Sequence, residues 1–101
     1  MAKTSKASAA AKTIKIARDL RISGAAAVFG ALRSAAEAAG SRVALDARHV
    51  EKVDAAGLQA LLAGRRALGS AGKTVSWAGC SAQLKSAAVL LGLAESLELP
   101  Q

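Results

Sequence analysis

Aromatic side chains are almost missing from this chain: one phenylalanine, Phe29, one tryptophan, Trp77, and no tyrosine in 101 residues. A core without rings has to be filled by Ala, Leu, Val and Ile, packed closely through small side chains. Cysteine occurs once, as Cys80, so no intramolecular disulfide can form. Histidine also occurs once, as His49, so a histidine triad would have to rest on it alone, and His49 and Cys80 share no metal-ligand spacing. The glycines form neither a phosphate-binding P-loop nor a dinucleotide fingerprint. No apolar run approaches the ~20 residues that span a bilayer, and the N-terminal segment lacks the apolar stretch of a secretory signal. The expectation is a soluble protein without membrane insertion. With a single cysteine, a cytoplasmic location is favoured.

Acidic residues are scarce too, seven against fourteen Lys and Arg. The resulting +7 is unevenly placed. Lys3, Lys6, Lys12, Lys15 and Arg18 all precede the first acid, Asp19, and without those five the net charge falls to +2. Residues 1–12 therefore read as a flexible basic arm. No aromatic is interleaved with these cations to stack on bases, which argues against nucleic-acid binding. About half of the residues are apolar, enough for one core in a chain of this length. The folded part is expected over residues 13–99.

Within that part, strand and helix patterns alternate. Thr13-Ile14-Lys15-Ile16 has the period-two, β-branched look of a strand, and Leu20-Arg21-Ile22 of a second, short one. Ser23 is placed to cap a helix from about Ala25 to Ala38, closed by Gly40. Val43-Ala44-Leu45 reads as a strand buried on both faces. Asp54 stands in N-cap position for a helix carrying Leu58, Leu61, Leu62 and Leu68 and ending near Gly72. Arg65 falls on that same apolar stripe, as a residue that would snorkel at the core's edge. Thr74 to Ala78 is the next strand. Gly79 and Cys80 then turn the chain, and Ser81 caps a helix with Leu84, Ala87, Ala88 and Leu91 on one face, ended by Gly92. Leu97-Glu98-Leu99 is expected to be a terminal strand or an extended tail. Such alternation implies right-handed crossovers and a largely parallel inner sheet.

Little in the chain fits catalysis. His49 lies in the charged stretch Asp46-Ala47-Arg48-His49-Val50-Glu51-Lys52 and reads as a solvated loop residue. Asp46 and Asp54 are the one candidate carboxylate pair for a cation or acid–base work. Their simpler reading is a strand-end acid and a helix cap. Cys80 precedes a helix start that would favour thiolate, yet its simpler role is a small buried apolar group. No metal or cofactor is called for. The start of the second helix differs. Its first amides lack intrahelical partners, Asp54 answers one or two of them, and Ala55, Ala56 and Gly57 leave the backbone approachable. Such a corner suits either an oxyanion or the close approach of a partner backbone, and its simplest reading is a well-capped helix.

The sequence Val43-Ala44-Leu45-Asp46, then Val50-Glu51-Lys52-Val53-Asp54-Ala55-Ala56-Gly57-Leu58 and Leu61-Leu62, resembles the centre of STAS domains, the fold of bacterial anti-sigma factor antagonists. The likeness continues through the Gly72-Lys73 turn, the Val75–Trp77 strand and Leu90-Leu91-Gly92-Leu93, and so covers about Thr13 to Leu99. It implies a single α/β STAS-like domain, with a four- to five-stranded mixed sheet and helices packed against it. It also implies a non-catalytic interaction module that binds a regulatory kinase or anti-sigma factor-like partner through Val53, Asp54, Ala55, Ala56, Gly57 and Leu58, with Asp46 as an accessory acid.

In such proteins the residue after the corner Asp is a serine phosphorylated by the partner kinase. Here that position holds Ala55 and the next holds Ala56, so neither can accept phosphate. A phosphate adds about −1.5 to −2 charges, and this corner lacks that switch. Two groups of similar proteins also lack it: small STAS proteins associated with chemotaxis kinases, and the small STAS subunit of phospholipid-transport ABC ATPases. The segment Leu93-Ala94-Glu95-Ser96-Leu97-Glu98-Leu99-Pro100 resembles both. A signalling adaptor is the leading expectation and an ABC transporter subunit the alternative. A nucleotide-binding protein using Asp46 and Asp54 is a third reading.

Overall fold

The computed structural model describes residues 12–100, so the expected basic arm lies almost wholly outside the described residues. The chain runs β1 (Lys12–Lys15), β2 (Asp19–Leu20), α1 (Ile22–Glu37), β3 (Arg42–Ala47), β4 (Lys52–Val53), α2 (Ala55–Ser70), β5 (Thr74–Cys80), α3 (Ala82–Leu90) and α4 (Ala94–Leu97). The central sheet has the order β1-β3-β5, and β2 and β4 form a separate two-stranded ladder. Every pairing among these strands is parallel. The expected four- to five-stranded mixed sheet does not appear among the described residues: the strands divide into a three-stranded and a two-stranded sheet, both parallel. After Ile16 donates its N–H to the Asp46 carbonyl, the chain leaves β3 and pairs Asp19 and Leu20 with Lys52 and Val53 instead.

Several elements differ from the sequence expectation. The expected strand Leu20-Arg21-Ile22 is Asp19–Leu20, because its pairing with Lys52 and Val53 ends at Leu20 and the helix starts at Ile22. Helix α1 begins at Ile22, so Ser23 lies inside it rather than capping it, and its cap residue Arg21 supplies no side-chain hydrogen bond. Strand β4 is two residues long and exists only through its ladder to β2, so no periodicity announces it. Strand β5 continues through Gly79 and Cys80, because a register shift between Leu45 and Asp46 keeps them paired with Asp46 and Ala47. Where a terminal strand or an extended tail is expected at Leu97-Glu98-Leu99, the short helix α4 ends at Leu97 and Glu98 follows in the left-handed region at φ 55°. The Trp77 indole N–H donates to the Leu97 carbonyl at 3.0 Å, which pins that turn to β5.

Helices α1 and α2 lie side by side and point the same way. Asp54 joins their starts, and at the other end the Lys73 ammonium donates to the Ala38 and Gly40 carbonyls that follow α1. The Ala38 carbonyl, at the C-cap, is among the orphan acceptors of the helix end. Midway, a Cβ on Gly64 would sit 2.5 Å from Leu32 Cδ1, so only glycine permits this approach. The core between sheet and helices is aliphatic, as the composition requires. Leu32, Leu45, Leu58, Leu61, Leu68, Leu84 and Leu97 are completely buried, each stabilising the fold by roughly 1.5–3 kcal/mol. Arg65 extends from α2 to the tail, where Nη2 lies 3.0 Å from Glu98 Oε1 while its Nε is buried without a partner.

Candidate functional site

The corner at Asp54 is built by one carboxylate serving two helices. Asp54 Oδ1 accepts the Gly57 N–H at 2.8 Å, closing the first turn of α2. Its other oxygen accepts the Ile22 N–H at 3.0 Å, the first amide of α1. The cap missing from Arg21 is thus supplied from 32 residues away. The Asp54 N–H donates back to the Leu20 carbonyl at 3.2 Å, and its own carbonyl takes the Leu58 N–H at 3.1 Å. The amides of Gly57 and Ile22, with Arg21 nearby, hold the carboxyl below the usual carboxylate range.

The six corner residues divide into two groups. Ala55 is exposed, and Val53, Asp54 and Ala56 are half-buried. Gly57 and Leu58 are buried, Leu58 completely. A Cβ on Gly57 would fall 1.9 Å from the Leu20 carbonyl oxygen, so this glycine exists to let α2 back onto β2. Gly57 and Leu58 therefore position the corner from behind; the face offered to solvent is Ala55, with Val53, Asp54 and Ala56 beside it.

Beside that face stands a residue sequence reasoning missed. Ile22 is 72% exposed, although it is a large aliphatic side chain, and its N–H is the one held by Asp54. Its local pattern gives no sign of this, because its place beside Ala55 is set by the β2–β4 ladder and the Asp54 bridge. Around the corner, Arg21 Nε pairs with Asp19 at 2.7 Å and Arg18 with Glu51 at 3.0 Å.

Asp46 lies near the end of β3. It is 6% exposed, and Arg48 grips both its oxygens, Nε to Oδ1 and Nη2 to Oδ2, each at 3.0 Å, while the Arg48 N–H adds a third bond at 3.2 Å. These bonds hold its carboxyl at a pKa of about 2. Asp46 is thus engaged by Arg48 and Asp54 by backbone amides, the strand-end acid and the helix cap of their simpler reading. His49 is exposed and lines a shallow cleft with Lys15 and Arg18. Cys80 is half-buried, and burial pushes its thiol up, away from thiolate. Among the described residues, no group of three or more His, Cys, Asp and Glu is gathered to hold a metal ion. None of the described helices is long and apolar enough to cross a membrane.

Residues 4–100 match the family described as Mlab, STAS domain. The chain belongs to the STAS domain family. The resemblance carried by the Val43-to-Leu62 stretch and its continuation thus identifies the family correctly. The fold agrees: a sulfate transporter family protein from Wolinella succinogenes superposes with a TM-score of 0.71 at 24% identity, over 86% of this chain and 70% of that one. At that identity the likeness speaks for the fold alone. None of the curated proteins compared matches the chain. STAS domains are protein-interaction modules and generally non-catalytic.

Proposed function

We propose that this chain is a non-catalytic docking subunit. Its contact corner is Asp54 and Ala55, flanked by Val53, Ala56 and Ile22, and it is permanently competent to bind. The observation that carries this reading is the pairing of an intact, doubly bonded Asp54 with an exposed alanine directly after it. The geometry of a STAS corner is kept, and the hydroxyl that would let a kinase turn it off is replaced by a methyl group. Regulation then falls to the partner's abundance or nucleotide state.

The partner favoured is the ATPase of a membrane transport system, bound on its cytoplasmic side. The comparison that supports it is the family description, which carries the name Mlab. The second reading, a regulatory kinase or anti-sigma factor-like partner of signalling or chemotaxis type, draws on the same corner. It is weakened by Ala55, since such a partner would have nothing there to phosphorylate.

Affinity capture from the native host tests both. The wild-type chain is expected to co-purify with a membrane-associated ATPase. Ala55→Glu, which puts a carboxylate beside Asp54 on the exposed face, is expected to abolish that capture. Unchanged capture by a folded Ala55→Glu protein removes this corner from the interface. Capture of a soluble histidine- or serine-kinase-type protein moves the reading from transport to signalling.

A further inference from the structure

We propose that the outer groove between α1 and α2 is a docking track for an acidic amphipathic helix of the partner, continuing the contact that begins at Asp54 and Ala55. The proposal rests on that corner being a docking edge, and it names the chemistry of what lies along it. Because Asp54 ties the helix starts and Lys73 the helix ends, and Leu32 fits against Gly64 between them, the pair presents a shallow groove of about 630 Å³ to solvent.

The floor of the groove is Phe29 with Ala63 and Ala67. Phe29 is the chain's one phenylalanine, yet it is only half-buried and lies outside the aliphatic core. In a chain so short of rings, its place on this surface is a notable use of apolar area. The rims carry cations at matching heights, Arg33 on α1 and Arg66 on α2. Arg33 is 62% exposed and only 4.0 Å from Glu37 at its nearest. Arg66 has no ion-pair partner among the described residues. The groove is thus apolar along its floor, with two cations against one acid at its edges. An amphipathic helix, about 10 Å wide, seated by its apolar face would present flanking carboxylates to both guanidinium groups. A second copy of this chain fits less well, since a two-fold contact between like grooves would bring arginine against arginine.

The test uses the full chain, isotopically labelled, and two synthetic helical peptides that share one Leu/Ala face, flanked by Glu in one and by Lys in the other. The Glu peptide is expected to shift the amide resonances of Phe29, Arg33, Ala63 and Arg66 and to bind at least about tenfold more tightly than the Lys peptide. The double variant Arg33→Glu, Arg66→Glu, confirmed as folded by its amide spectrum, is expected to reverse that preference. Equal binding of the two peptides, shifts centred elsewhere, such as at Val89 to Leu91, or no shift at millimolar peptide would each overturn the proposal. Capture of the native partner separates the groove from the corner. A partner lost by Ala55→Glu but kept by the double arginine variant overturns the groove and leaves the corner. A partner lost only by the arginine variant removes the corner, and with it the proposal of one contact running from corner to groove.

Discussion

The carboxylate of Asp54 caps the helix that begins at Ile22 as well as its own: the Ile22 N–H donates to Oδ2 at 3.0 Å while the Gly57 N–H donates to Oδ1 at 2.8 Å. One side chain thereby fixes the relative position of two helix starts, and the exposed residues beside it, Ile22 and Ala55, inherit a rigid spacing. Replacing Asp54 by alanine removes both caps at once. Asp54→Ala is expected to lower the thermal midpoint by roughly 5–10 °C, with Asp54→Asn in between, because its amide keeps one oxygen acceptor. Thermal unfolding followed by circular dichroism checks this. A midpoint unchanged in Asp54→Ala would mean that the two bonds contribute nothing net.

The same chemistry sets an acid limit. Asp46 and Asp54 both have carboxyls held below their ordinary value, Asp46 at about 2. A carboxyl with a depressed folded-state pKa contributes stability that is fully present above its unfolded pKa, about 4, and is lost as the pH falls through the folded value. Stability is therefore expected to be flat from pH 7 to about 5 and to fall between about pH 4 and 2. Urea midpoints measured across that range should show this slope. Asp46→Asn, already uncharged at neutral pH, should show a shallower one.

Close approach makes a sharper contrast among the glycines. Gly57→Ala would place its methyl 1.9 Å from the Leu20 carbonyl oxygen, so β2 or α2 must move. A loss of about 2–4 kcal/mol is expected. Gly69, also in α2, has nothing within 4 Å of the corresponding position. Gly69→Ala should instead stabilise by about 0.5–1 kcal/mol through helix propensity alone. Denaturant titration of the two variants side by side reads the difference, and equal effects would refute the packing of α2 onto Leu20.

The contrast also shows what the sequence could and could not tell. The second and third helix starts were legible because their caps are local: Asp54 reaches Gly57 three residues on, and Ser81 reaches Leu84 in the same way. The aliphatic stripe of α2 and the Asp-Ala-Ala-Gly corner were legible for the same reason. The start of α1 was misplaced because its cap comes from Asp54 rather than from Ser23. Strand β4 was invisible because two residues carry no period, and its pairing with β2 is set by the fold. At the candidate site, the order of residues located the corner but did not divide it. Only burial separates Ala55, which faces solvent, from Gly57 and Leu58, which support it. Ile22 reaches that face by a long-range hydrogen bond, and Arg65 finds its partner at Glu98 across a tail whose conformation no local pattern announces.

The methyl group of Ala55 offers the cleanest way to separate the two kinds of partner. Ala55 is exposed at the first position of α2, so Ala55→Ser adds a hydroxyl with no neighbour displaced and with serine tolerated in the first turn. If the native partner is a kinase of the anti-sigma type, a serine there is presented where such an enzyme works, and the added phosphate, about −1.5 to −2 charges beside Asp54, would release it. A transport ATPase has no reason to phosphorylate it. Ala55→Ser is therefore expected to co-purify with the same partner as the wild type and to take up no labelled phosphate when that complex is given radiolabelled ATP. Label on Ser at this position, absent from the wild-type chain under the same conditions, would overturn the transport reading and make the partner a kinase whose switch this chain has lost.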